Sequence, residues 1–161
     1  MDITTPLGEN SANVYRVEAH AIDFVWPRCV QLMTDYDGGV FRFTELTTVY
    51  QMLKEDKIEL WIGLHNKEIK LAALTQLCGD KEKYVELFWT GGTDFNLFYS
   101  IGLNKIQQWA GLMGAKNMVI GGRVGWSKKL QKYGFDFHRI ELIKRLDFIQ
   151  TDVTGQISWR N

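Results

Sequence analysis

Apolar residues recur along the chain in two periods, and the change of period marks out the elements. In residues 23–34, Val25, Cys29, Leu32 and Met33 fall on one helical face. Pro27 is tolerated best in a first turn, so this helix is expected to begin near Trp26. Gly38-Gly39 marks a turn. A second helix is predicted after it, with Thr44 as N-cap and Leu46, Val49, Tyr50 and Leu53 as its stripe. The period then shortens. Residues 58–64 and 69–77 flank a polar turn and read as a hairpin, residues 83–89 as a third strand. Phe98, Ile106, Trp109, Ala110 and Met113 recur at helical spacing, with Gly114 as the stop. A short strand follows at 116–120, a short helix at 125–133, and a strand or strand pair at 135–146. Val14–Val17 reads as a loose first strand.

This order predicts an α/β (α+β) domain in which helices cover both faces of a mixed, mostly antiparallel sheet. The 161 residues suit one domain over residues 1–146, with an N-terminal arm at 1–13. Residues 147–161 read as a tail. Phe148, Ile149, Ile157 and Trp159 lie among polar residues there, which suits a docking arm or an extra strand.

Nineteen basic and nineteen acidic residues cancel, so nothing points to a nucleic-acid partner. No apolar run reaches the ~18 residues of a membrane span, and none follows a basic N-terminus as in a signal peptide. Cys29 and Cys78 lie among apolar residues and are expected as reduced thiols; no Cys/His grouping suggests a metal. His65, beside Asn66 and Lys67, is expected as a solvated turn residue, and His20 and His138 are scattered.

Five segments carry a closer resemblance: LWIGL at 60–64, AALTQL at 72–77, VELFWTGG at 85–92, WAGLMGAK at 109–116 and GGRVGWSKKLQKYGF at 121–135. In this order the chain resembles the N-acetyltransferase (GNAT) superfamily over about residues 14–146, and within it the small GNAT-like proteins of tailed bacteriophages and prophages. The resemblance implies the fold and a phage origin, with host cytoplasm or the virion as the setting. In working members, acetyl-CoA lies in a wedge between two strands, and an Arg/Gln-x-x-Gly-x-Gly loop cradles its diphosphate. The corresponding stretch here, TGGTDFNLFYSIG, lacks that pattern, and Asp94 reads as an N-terminal helix cap. The tyrosine that protonates the leaving thiolate falls at Leu130, the usual alanine at Trp126 and the usual asparagine at Arg123.

Two functions follow as expectations. The first is a non-catalytic protein-interaction or structural component in phage virion assembly, with the head–tail region as its setting, that needs no cofactor and binds phage structural proteins or its own copies. Trp126, Lys128, Lys129 and Trp159 are its interface candidates. The second is an acyl-CoA-dependent N-acyltransferase with atypical donor binding. Glu86 is then the candidate general base, and Phe88, Trp89, Thr90 and Arg123 are the contacts to acetyl-CoA.

Overall fold

The computed structural model describes residues 11–37, 41, 45–121, 126–136, 149–151 and 157–159. Contacts divide the chain into two compact units, residues 1–122 and 123–161.

The first unit is built on a five-stranded sheet in the order β1-β2-β3-β4-β5. Its strands are β1 (Ala12–Val17), β2 (Glu59–His65), β3 (Glu68–Cys78), β4 (Tyr84–Gly92) and β5 (Asn117–Ile120). The first four run antiparallel to their neighbours, whereas β5 is parallel to β4. A parallel partner needs a crossover. Here the crossover is a helical run made of α3 (Phe95–Leu97), a π-helical turn (Phe98–Gly102) and α4 (Leu103–Leu112). Gly114, at φ +93°, ends it in the left-handed conformation that glycine adopts without strain.

On one face, α1 (Ile22–Asp35) and α2 (Leu46–Lys54) pack their apolar stripes onto the sheet. Cys29, Leu32, Met33, Val49 and Leu53 meet Leu60, Ile62, Ala72, Leu74 and Trp89 in one buried cluster. Asp23 links the two helices at their exposed side, accepting from the Tyr50 hydroxyl at 2.6 Å and from Lys54 Nζ at 3.0 Å. Those bonds hold the Asp23 carboxyl below its usual range. The other face carries the α3–α4 run. Leu97 lies against Gly63, Gly102 against Val14, and Trp109 meets Trp61 edge-on at 5.7 Å. Lys105 Nζ ties this run to β1 by donating to Asn13 Oδ1 at 2.6 Å and to the Val14 carbonyl at 2.8 Å.

Several expectations need correction. Helix α1 begins at Ile22, a turn before Trp26, so Pro27 lies inside it. Pro27 is exposed, which leaves the Asp23 carbonyl that loses its helical donor free to meet water. Helix α2 starts at Leu46 after Glu45, without a side-chain cap, and Thr44 lies outside the described residues. Strand β4 runs on to Gly92, past the expected end at Trp89. Two glycines allow it. A side chain at Gly91 would meet Trp89 and Tyr36, and one at Gly92 (φ +129°) would collide with the Lys70 carbonyl. The strand pair expected at 135–146 lies almost wholly outside the described residues.

In the second unit, α5 (Trp126–Gln131) is one short helix, closed by Tyr133 and Phe135 N–H groups donating to the Leu130 carbonyl. The strands β6 (Ile149–Thr151) and β7 (Ile157–Trp159) pair antiparallel with each other. Among the described residues no helix is long and apolar enough to cross a membrane, and no cluster of His, Cys, Asp and Glu could hold a metal. Cys29 and Cys78 are both free thiols, and burial pushes that of Cys29 up to about 12.

Candidate functional site

The candidate site forms where β4 outlasts its partner. The last paired residues of the β4–β5 ladder are Leu87 and Ile120, followed by Gly121 N–H donating to the Leu87 carbonyl at 3.2 Å. Strand β4 continues through Phe88–Gly92 while still paired to β3. Among the described residues no strand covers the other edge of this run. An extended backbone edge of this kind presents N–H and C=O groups to a ligand that can lie alongside.

The same run starts on a β-bulge. Thr75 opposes Leu87 and Leu74 opposes Trp89, so Phe88 is the extra residue. A bulge bends the strand and re-aims its side chains. Here it switches the face that β4 buries. Leu87 belongs with Thr75 to the α4 face, whereas Trp89 packs with Leu74 into the α1–α2 core. Strand periodicity alone would have put Leu87 and Trp89 on the same side.

Trp89 connects the bulge to a cleft. Its indole N–H donates to the Tyr36 carbonyl at 2.8 Å, and its ring lies 5.7 Å from that of Phe41. Phe41 lines a cleft of about 460 Å³ with Met33, Thr34, Asp37, Glu45, Leu46 and Thr47. Asp37 accepts the Phe41 backbone N–H at 2.9 Å, and Glu45 accepts the Thr47 hydroxyl at 3.4 Å. Among the described residues the walls combine three apolar or aromatic side chains with two threonines and two carboxylates.

Glu86 is half-buried and opposes Gln76, two residues before the bulge. Gln76 follows Leu74 by two positions, so Glu86 stands on the α1–α2 face of the sheet, the side of the cleft. Phe88 and Thr90 are also half-buried. The Thr90 hydroxyl is shut off from solvent and makes no hydrogen bond. A buried hydroxyl left unmade costs free energy, and such groups merit a functional reading. The structure brings Glu86, Phe88, Trp89 and Thr90 together on one strand. Arg123 and the side chains of Trp126, Lys128 and Trp159 lie outside the described residues, and Lys129 is exposed on α5.

Two groupings escaped the sequence reading. Glu59 is 8 % exposed. It accepts from the Thr75 hydroxyl at 2.9 Å, and Thr75 in turn accepts from the Trp61 indole N–H at 2.9 Å. Burial raises the Glu59 carboxyl to about 7, against the Thr75 bond and the Arg16 charge that lower it. The second is His65 with Asp94. His65 ends β2 instead of lying in a turn, and its Nδ1 is 2.7 Å from Asp94 Oδ2, with both side chains partly exposed. Asp94 sits at the N-cap position but makes no side-chain cap bond, because its left-handed backbone (φ 59°, ψ 44°) accompanies a carboxylate held by His65. Neither pair shows in the sequence, since cross-strand register and loop path bring the partners together.

No protein-family model matches the chain, and no curated protein matches it by sequence. Solved structures do. The aminoglycoside N-acetyltransferase AAC(6')-Iy in complex with CoA is similar with a TM-score of 0.59 and 13% identity, over 89% of this chain and 99% of its own. A glucosamine-6-phosphate N-acetyltransferase from Arabidopsis thaliana is similar with a TM-score of 0.58 and 10% identity, over 85% and 99%. A predicted acetyltransferase from Clostridium acetobutylicum, solved with acetyl-CoA, reaches 0.56 and 16% identity, over 84% and 97%. The chain therefore has the GNAT acetyltransferase fold.

Proposed function

We propose that this GNAT-fold chain is an N-acyltransferase that takes its acyl group from a CoA-type thioester and gives it to a cationic amine. The observation that carries this reading is the edge of β4 from Phe88 to Gly92, uncovered among the described residues and opening on a bulge beside the cleft. A pantetheine arm has amide groups at intervals that suit such an edge. The unpartnered Thr90 hydroxyl lies within the same run. The thioester supplies an activated acyl group; the chain supplies the edge that aligns it. Positioning of two reactants is itself a large part of catalysis.

Among the described residues, Asp37 and Glu45 offer carboxylates that complement an ammonium group, and Phe41 and Met33 offer apolar contact. Glu86, on the same face and two residues before the bulge, takes the proton that the ammonium must lose before it can attack. Two proteins of similar structure, an aminoglycoside and a glucosamine-6-phosphate N-acetyltransferase, are named for amine acceptors as well.

The test is calorimetric titration with acetyl-CoA, followed by a thiol-release assay with polyamines and aminosugars. Binding together with amine-dependent thiol release is expected. No heat with acetyl-CoA or with acetyl-pantetheine at millimolar concentration, and no thiol release from either with any amine, would discard the reading.

A second reading is a docking component of a phage particle that binds structural proteins or its own copies. Phe24 (79 %) on α1 and Leu112 (88 %) on α4 are exposed on opposite faces of the sheet and would serve it as two separate contacts. Mass spectrometry of purified virions decides it: a fixed copy number supports this role, and absence from particles and assembly intermediates removes it.

A further inference from the structure

Beyond the end of β4 stand two ionisable side chains that the proposed reaction does not use. His65 closes β2 and Asp94 opens the helical run, and their side chains meet at 2.7 Å. The free edge from Phe88 to Gly92 is about 16 Å long at roughly 3.3 Å per strand residue, the reach of an extended pantetheine arm. With the thioester at the bulge, whatever the arm is attached to arrives at Thr93 and Asp94.

An anion at that point would gain from the first N–H groups of the helix. It would also meet the Asp94 carboxylate, which is 39% exposed. Among the described residues, the cations next to Thr93 and Asp94 are already engaged. Lys70, whose carbonyl accepts the Thr93 N–H at 2.7 Å, has its ammonium 2.7 Å from Glu68. His65 faces Asp94 itself and at most cancels it.

We infer that the His65–Asp94 pair selects the acyl donor by the charge on its handle, disfavouring a nucleotide diphosphate and favouring an acyl thioester on an uncharged pantetheine-type arm. This deepens the acyl-transfer reading above and rests on it. Asp94 contributes the repulsion, and His65 limits it. The left-handed backbone of Asp94 is one that asparagine also adopts readily, so the charge can be removed with the loop kept in place.

The experiment uses the full chain and two donors, acetyl-CoA and acetyl-pantetheine, at low salt, where a charge effect is least screened. KM for each donor is measured in the wild type, Asp94→Asn and His65→Gln, with circular dichroism to establish folding. In the wild type, acetyl-pantetheine is expected to be used with a KM no higher than that of acetyl-CoA. Asp94→Asn should lower KM for acetyl-CoA about tenfold, a size set by one charge near a surface, and His65→Gln, which keeps a hydrogen-bond donor, should change it less. Neither change should move acetyl-pantetheine by more than about twofold. Acetyl-CoA used well by the wild type, with an unchanged ratio of the two donors in Asp94→Asn, overturns this inference and leaves acyl transfer standing. Transfer from neither donor overturns both.

Discussion

The Thr75 hydroxyl lies directly across the ladder from Glu59 and donates to its carboxylate at 2.9 Å, while accepting the Trp61 indole N–H at the same distance. One hydrogen bond is not enough to solvate a carboxylate charge at a site 8 % exposed. The neutral acid is therefore favoured, and the carboxyl titrates near 7 instead of 4.5. The stability linked to that proton is complete below the unfolded value of 4.5 and drains away as pH rises through about 7. Thermal and urea unfolding between pH 4.5 and 8 should show a loss of about 2–3 kcal/mol. Glu59→Gln, neutral at every pH, should flatten the profile. An equally steep profile in the variant would mean that other groups are responsible.

Trp89 should be the side chain of β4 that the fold can least spare. It fills the α1–α2 core, contacts the Phe41 ring and spends its N–H on the Tyr36 carbonyl. Trp89→Ala should cost about 3–5 kcal/mol in urea unfolding. Trp89→Phe should cost less, because it loses the hydrogen bond but keeps most of the volume. Donor affinity should fall in both variants through the displaced bulge.

Gly92 should not accept a side chain. Its φ of +129° is a glycine conformation, and an added Cβ would collide with the Lys70 carbonyl. Gly92→Ala is expected to lose about 2 kcal/mol or more, by strain at one backbone position. A variant with unchanged unfolding would show that the β3–β4 ladder gives way there easily.

Thr90 separates stability from binding. Replacing the unpartnered hydroxyl with a methyl group, Thr90→Val, should raise unfolding stability by up to about 1 kcal/mol. The same change should weaken donor binding severalfold if the hydroxyl meets the pantetheine arm. Stability that falls on substitution would indicate a partner for the hydroxyl inside the free protein.

Glu86→Gln should lower the turnover of amine acylation by about a hundredfold, the lower range for loss of a general base. KM for the donor should barely change, since Glu86 lies on the acceptor side of the sheet. Raising the pH, which supplies amine already deprotonated, should restore part of the lost rate. Equal losses at all pH values would make Glu86 a positioning residue instead.

The sheet of β1–β5 and the apolar stripes of α1 and α2 were legible in the chain, because periodicity records which side of each element is buried, whereas Met113, read into the stripe of α4, is 48 % exposed. The loop after β4 also reads in the chain as lacking the arginine and glycines that suit a phosphate, a reading that the donor comparison tests. The resemblance that rests on those segments agrees with the GNAT fold of the solved acetyltransferases. The bulge was not legible. It depends on how β3 and β4 align, and the shift at Phe88 reverses the faces of Leu87 and Trp89 without any local signal. Nor was the length of β4 visible, because Gly91 and Gly92 fall in the stretch read as the connection to the next helix, and only the fold packs the Lys70 carbonyl and the Tyr36 side chain against them. Local preference determines what each segment becomes. Which ionisable groups meet, as Glu59 meets Thr75 and His65 meets Asp94, is decided only when strand register and loop path place residues remote in the chain within hydrogen-bonding distance.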